Sequence, residues 1–331
     1  MARPTGLTEP LFPGASLWTD PLTMTDAEFI PAYVRLNAEQ LADRAAALRH
    51  IMRSCRLCPR NCGVDRLAGE VGTCGVGADP VISSHGPHFG EEAPLVGRHG
   101  SGTIFLTHCN LKCIFCQNYD ISHVGQGQVV TPDALAEMML SLQRRGCHNV
   151  NWVTPTHQVP MLVEAARRAV RQGLRVPIVY NCGGYESVDV LRLLDGIVDI
   201  YMPDAKYGDN AVGRQLSGVP DYWDRCREAL AEMHRQVGDL RTDANGIAAR
   251  GLLVRHLVLP DDMAGTGKVM AFLASLSPDT YVNVMAQYRP QYRAREVHAI
   301  ARALTGGEYR RAVQAARDAG LRRLDQRWAL L

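Results

Sequence analysis

The chain has 331 residues, 46% of them hydrophobic and 21% charged, with a formal net charge of +2. That is globular composition, enough for one large domain plus a small one, and its charge balance gives no reason to expect a nucleic-acid or anionic-membrane partner. No stretch approaches the about 18 apolar residues of a membrane span. The start of the chain, with Thr5, Glu9 and Pro10, lacks a charged-then-apolar leader, so a cytoplasmic location is expected.

Residues 1–24, rich in Pro, Gly and Thr, read as irregular. Thr25 and Asp26 are candidate caps for a helix running through Glu39, Gln40 and Leu48 to about Met52. A cysteine-rich knot follows at 55–75, and the glycines and prolines of 76–101 read as connection. From 102 onward, short β-branched runs alternate with helical patterns. Strands are expected at 103–107, 149–154, 176–181, 197–202, 252–258 and 281–285. Helices are expected at 132–145, 158–172, 187–194, 221–236, 262–276 and about 293–304, and an amphipathic helix at 306–319 stops at Gly320. Such alternation implies parallel β/α units. The expected fold is therefore α/β, a partial (β/α)6 TIM-type barrel with a small N-terminal cysteine-rich segment. The expected divisions are 1–80, 81–304 and a C-terminal helix in 305–331. Arg310, Arg311, Arg317, Arg322, Arg323 and Arg327 read as a solvated face.

The strand ends gather polar and cysteinyl residues: His108 and Cys109; Thr154 and Thr156; Asn181 and Cys182; Asp204 and Lys206; Arg255 and His256; Gln287 and Tyr288. In β/α barrels, the site is built at that edge. Seven of the ten cysteines fall in two tight groups, and clustered thiols in a reducing compartment read as metal sites rather than disulfides. Cys109-x3-Cys113-x2-Cys116, in a loop after a strand, can wrap one corner of a cubane. A four-iron cluster takes four ligands, so three cysteines leave one iron open to a cofactor or substrate.

This motif, with Phe115 before its last cysteine and a β/α series around it, resembles the radical S-adenosylmethionine superfamily over roughly residues 100–300. The resemblance implies a [4Fe-4S] cluster that cleaves S-adenosylmethionine to methionine and a 5′-deoxyadenosyl radical, which abstracts a substrate hydrogen. It also implies a one-electron donor such as flavodoxin or ferredoxin. Phe115 then lies near the adenine or packs the loop against the barrel. Within the superfamily, the chain is most similar to the pyruvate formate-lyase activating enzyme-like proteins. The stretch 199–206 is similar to the strand-four motif whose lysine approaches the cofactor carboxylate, and 254–260 to a fifth strand that carries an arginine and ends in proline. Asp204, Lys206 and Arg255 follow as cofactor-binding candidates, with a Lys206–Asp204 surface pair as the plainer alternative. The usual Gly-Gly-Glu for the amino group is replaced by Thr154-Pro155-Thr156-His157, whose hydroxyls and carbonyls are candidate acceptors. Asn181 is the candidate near the ribose.

Cys55, Cys58, Cys62 and Cys74 give four thiols within twenty residues, a set that completes a closed site. Zinc and a second iron–sulfur cluster both suit it. Cys147 and Cys226 read as buried small residues. Cys182 is a candidate hydrogen-atom donor. His108 is a candidate partner of the cluster. His256, Gln287, Tyr288, Arg289 and Tyr292 are candidates for the lining of the barrel mouth, which suits a peptide, a protein loop or a small polar molecule derived from an amino acid. Glycyl-radical activation is one case, and a non-catalytic metal-binding interaction module is the alternative outside catalysis.

Overall fold

A computed structural model describes residues 29–325. The elements, in chain order, are α1 (Ala38–Ile51), β1 (Val81–His88), α2 (Ala93–Val96), β2 (Ser101–Leu106), β3 (Gln128–Val129), α3 (Pro132–Arg144), β4 (Val150–Val153), α4 (Val159–Arg171), β5 (Ile178–Cys182) and α5 (Val188–Leu193). There follow β6 (Ile200–Pro203), α6 (Asn210–Ser217), α7 (Tyr222–Val237), β7 (Arg241–Thr242), β8 (Ala248–Leu257), α8 (Thr266–Leu276), β9 (Tyr281–Met285), α9 (Gly306–Asp318) and β10 (Arg323–Leu324).

The strands form one sheet in the order β10-β9-β8-β6-β5-β4-β2-β1-β3, with β7 added to β8. The six expected strands are its parallel heart, running β2-β4-β5-β6-β8-β9. The sheet does not close. Antiparallel β1 covers the β2 side, and parallel β10 extends the β9 side.

Side-chain alternation assigns two faces to each strand. Ile104, Leu106, Trp152, Tyr180, Tyr201 and Val254 belong to the large core that also takes in the helices. Val179, Ile200, Met202 and Leu253 belong to the concave face, where they meet Leu95 of α2. The four-residue helix α2 therefore plugs the interior of the partial barrel.

Three expectations change. Residues 76–101 are not simply connection, because they hold β1 and α2. His85, Gly86, Pro87 and His88 give β1 little strand character of its own, and its pairing with β2, from Ile82↔Leu106 to His88↔Ser101, forms it. The proposed caps Thr25 and Asp26 lie outside the described residues, and the helix through Glu39 starts later than expected. Asn37 caps it, accepting from Gln40 N at 2.8 Å while the Gln40 side chain accepts from Asn37 N. The helix expected at 293–304 is two short 3₁₀ turns, Ala294–Glu296 and His298–Ile300. Val297, extended at φ −116° and ψ 109°, separates them. No helix among the described residues is long and apolar enough to cross a membrane.

Candidate active site

The loop after β2 carries the first cysteine group. It is tightly bent: His108 and Lys112 hold φ of 63° and 57°. Of the seven non-glycine residues with positive φ among the described residues, six lie in loops that follow parallel strands: His108, Lys112, Thr154, Asp261, Asp262 and Tyr292. Such conformations cost roughly 1–3 kcal/mol each and collect where a surrounding structure imposes geometry.

Each sulfur in the loop meets a polar group of its own. Leu111 N donates to Cys109 Sγ at 3.3 Å, Ser217 Oγ donates to Cys113 Sγ at 3.1 Å, and Ser122 Oγ lies 3.0 Å from Cys116 Sγ. His123 Nε2 to Cys113 O and Lys112 Nζ to Ser122 O, at 3.0 and 3.1 Å, fold the following turn back over the loop. Burial, with the neighbouring Cys113, pushes the Cys109 thiol up to about 11, and burial raises Cys116 as well. The bare Cys109 and Cys116 sulfurs therefore keep their protons at neutral pH, and a metal has to displace them. Three sulfurs in one short loop, each beside a hydrogen-bonding group, form a donor set that fits an iron–sulfur cluster with one open iron. Phe115 is buried edge-on between Tyr207 and Tyr288, at centroid distances of 6.2 and 6.0 Å, so it packs the loop.

Beside this loop lies a buried ionic group. Lys206 Nζ is 2.5 Å from Asp204 Oδ2, and Arg255 Nε donates to Asp204 Oδ1 at 2.8 Å. A second Arg255 nitrogen donates to Asn181 Oδ1 at 2.6 Å, and a third lies 3.7 Å from Glu91 Oε2. The Lys206 and Asp204 side chains are 18% and 15% exposed, so theirs is not a surface pair. Burial alone would raise the Asp204 carboxyl. Arg255 and Lys206 outweigh it and hold the group below its ordinary range. Burial would lower Lys206, but Asp204 first and Cys113 second keep it firmly charged. The Lys206 side chain and the cysteine loop meet at Gly183, where a Cβ would lie 3.3 Å from Leu111 Cδ2 and 3.9 Å from Lys206 Cε.

Alternation removes two candidates from the concave face. Asn181 and Arg255 bond each other there, so their chain neighbours Cys182 and His256 turn outward. Cys182 is buried in the core shared with the helices. His256 is fully buried, with Nδ1 2.7 Å from Ala205 O and Nε2 2.9 Å from Thr266 Oγ1. Neither reaches the interior, which corrects the hydrogen-donor and mouth-lining expectations for them. Thr156 likewise spends its hydroxyl on Glu186 Oε1 at 2.8 Å. Thr154 remains at the edge, half-buried, with its N–H on Asn181 O at 2.8 Å. Tyr288 is buried with its hydroxyl on Ile300 O, while Tyr292 is exposed and stacks on Tyr119.

The interior also holds residues that strand ends did not reveal. Asn283 Nδ2 donates to Glu92 Oε1 at 2.9 Å. Asn149 Nδ2 donates to Leu95 O, which leaves its Oδ1 to accept from Ser101, and Ser101 accepts in turn from Asn151 Nδ2. These chains end on Glu92 Oε2, Asn151 Oδ1 and Asn283 Oδ1, three buried oxygens with no partner among the described residues. The available signal was an Asn inside an otherwise apolar strand, as in Val150-Asn151-Trp152 and Val282-Asn283-Val284.

Cys55, Cys58, Cys62 and Cys74 line one small cavity together with Asn110. All are free thiols. Among the described residues, no three or more His, Cys, Asp or Glu stand in the geometry of a single bound ion.

A family model described as the Radical SAM superfamily matches residues 103–244. An uncharacterized protein of Methanocaldococcus jannaschii is 33% identical over 294 residues, covering 86% of this chain and 80% of that protein. Two solved structures are similar: methylornithine synthase (PylB), with a TM-score of 0.44, 14% identity and coverage of 88% of this chain and 79% of that one; and HydG, a maturase of the [FeFe]-hydrogenase, with a TM-score of 0.45, 10% identity and coverage of 90% and 60%.

Proposed function

The chain belongs to the radical S-adenosylmethionine superfamily, and on that premise we propose that Cys109, Cys113 and Cys116 hold its [4Fe-4S] cluster and that Asn181, Asp204, Lys206 and Arg255 receive S-adenosylmethionine. When bound, cluster and cofactor together supply a 5′-deoxyadenosyl radical, which abstracts hydrogen from substrate. The observation that carries the assignment is the hydrogen-bonding group beside each of the three sulfurs, Leu111 N, Ser217 Oγ and Ser122 Oγ.

Each residue has a physical task. Lys206 is charged, largely buried and close to Leu111 of the cysteine loop, which suits it to a carboxylate held at the cluster. Asp204 keeps Lys206 and Arg255 in place between β6 and β8. Thr154 is the candidate acceptor for an amino group, since Thr156 is engaged with Glu186. Phe115 keeps the loop against Tyr207 and Tyr288.

The substrate is a polar, amino-acid-derived molecule or a peptide that presents a donor-rich end, such as an ammonium. Glu92 Oε2, Asn151 Oδ1 and Asn283 Oδ1 support this, because these three of the unpartnered buried groups are acceptors, and buried acceptors without donors are costly. Glycyl-radical activation is the special case of a peptide substrate. A cytoplasmic flavodoxin or ferredoxin serves as electron donor. The test is isotope transfer: amine-bearing candidates deuterated at one carbon pass label into 5′-deoxyadenosine. If an apolar metabolite transfers label while amines and peptides do not, the substrate reading fails.

A further inference from the structure

The four-cysteine segment reaches directly into the cysteine loop after β2. Arg60, between Cys58 and Cys62, donates to the carbonyls of Asn110 and Leu111, which lie between Cys109 and Cys113. The same guanidinium donates to Ser217 O at 3.0 Å and Gly218 O at 3.4 Å. Ser217 is the residue whose hydroxyl meets Cys113 Sγ. One side chain thus holds both the loop and a sulfur's hydrogen-bond donor. Arg66 makes a second link. It is buried and donates to His157 O at 2.7 Å, and the His157 ring donates to Thr107 O at 2.9 Å, where the loop begins. His108 fills the gap between Gly75, next to Cys74, and Gly125. A Cβ on Gly75 would come within 3.2 Å of its Nδ1.

The segment is built to keep its sulfurs together. Cys55 N donates to Val64 O at 3.0 Å and Gly63 N to Cys55 O at 3.1 Å, clasping the chain back on itself. A side chain at residue 72 would lie 2.5 Å from Cys62 Sγ, so only glycine leaves that sulfur in the ring. Asn110 belongs both to the ring's cavity and to the loop after β2.

We propose that Cys55, Cys58, Cys62 and Cys74 bind a thiolate-ligated metal centre, zinc or an iron–sulfur cluster, and that its loading positions the cysteine loop after β2 through Arg60 and Arg66. The coupling follows from the geometry. The four sulfurs line one cavity, so a metal centre bound there ties them together. Arg60 sits two residues from both Cys58 and Cys62 and moves with them, taking Asn110, Leu111 and Ser217 along. The metal site stands by itself, while its positioning role rests on the cluster assignment for Cys109, Cys113 and Cys116.

Two experiments separate those parts. In the triple variant Cys109→Ala, Cys113→Ala, Cys116→Ala, reconstituted anaerobically with iron and sulfide or with zinc, metal analysis is expected to find about four irons or about one zinc per chain. Adding Cys55→Ser and Cys58→Ser abolishes it. A triple variant that binds neither metal overturns the site, whatever the fate of the radical chemistry. In the otherwise native chain with both centres loaded, Arg60→Ala is expected to retain the metal of the four-cysteine site. It is expected to alter the electron paramagnetic resonance line shape of the reduced radical cluster and to weaken S-adenosylmethionine binding about tenfold, with Arg60→Lys recovering part of both. A line shape and affinity unchanged in Arg60→Ala overturn the positioning role.

Discussion

Replacing Arg255 with alanine removes the cation at the centre of the interior. It takes away the 2.8 Å contact to Asp204, the 2.6 Å contact to Asn181 and the charge 3.7 Å from Glu91. An exposed pair would contribute about 0–1 kcal/mol. This pair is 18% and 15% exposed, and breaking a buried pair by deleting one partner costs about 3–5 kcal/mol because the other charge is stranded. Lys206 still faces Asp204, so the lower end applies, about 3 kcal/mol. At about 2–4 °C per kcal/mol for a large domain, the melting temperature falls by roughly 6–12 °C at pH 7. The pH dependence has a definite sign. Asp204 is held below its ordinary range, so its contribution is present above the unfolded carboxyl's pKa and is lost as pH falls through the folded one. Without Arg255, the folded pKa rises and acid unfolding begins at higher pH. Adding Asp204→Asn removes the carboxylate on which both cations converge, so the two losses overlap rather than add. The assay is thermal and acid denaturation by circular dichroism on the single and double variants. An Arg255→Ala protein within about 0.5 kcal/mol of wild type, or a double variant whose losses simply add, would refute the reasoning.

Glu186 gives a second pH test: burial pushes its carboxyl up from 4.5 to about 7 even though the Thr156 and Tyr180 hydroxyls oppose the shift. Its raised folded pKa makes stability fall as pH rises from about 4.5 to 7, and Glu186→Gln flattens that slope in urea titrations across this range. Ser217→Ala removes the donor to Cys113 Sγ, so the reduced cluster loses stabilisation and its potential drops by roughly tens of millivolts with iron content intact, as a redox titration would record. Gly184→Ala puts a Cβ on a residue at φ 77° and against the Asp204 carbonyl, which costs at least about 2 kcal/mol in chemical denaturation.

The parallel strands were legible because β-branched runs such as Tyr281–Met285 alternate with capped helical patterns. Strand β1 was not, since His85, Gly86, Pro87 and His88 take strand form only by pairing with β2. Helix α6 escaped notice behind Gly213, which is required there because any Cβ would lie 2.5 Å from Tyr222 Cβ. At the site, Asp204, Lys206 and Arg255 were legible from their stretches of sequence. Glu91 and Glu92 were hidden in a segment read as connection. Nearness to a strand end points Cys182 and His256 toward the site, but alternation along β5 and β8 turns them away from it. With Asn181 and Arg255 facing in, their neighbours had to face the helices. The contacts of Arg60 join positions far apart in the chain and leave no trace in local sequence.

The central claim is that three thiols hold a cluster that starts radical chemistry, and its most direct test is 5′-deoxyadenosine formation. Anaerobically reconstituted, reduced protein is predicted to convert S-adenosylmethionine to 5′-deoxyadenosine, and the Cys109→Ala, Cys113→Ala, Cys116→Ala variant to form none. Equal 5′-deoxyadenosine from the variant and the native chain would contradict the account.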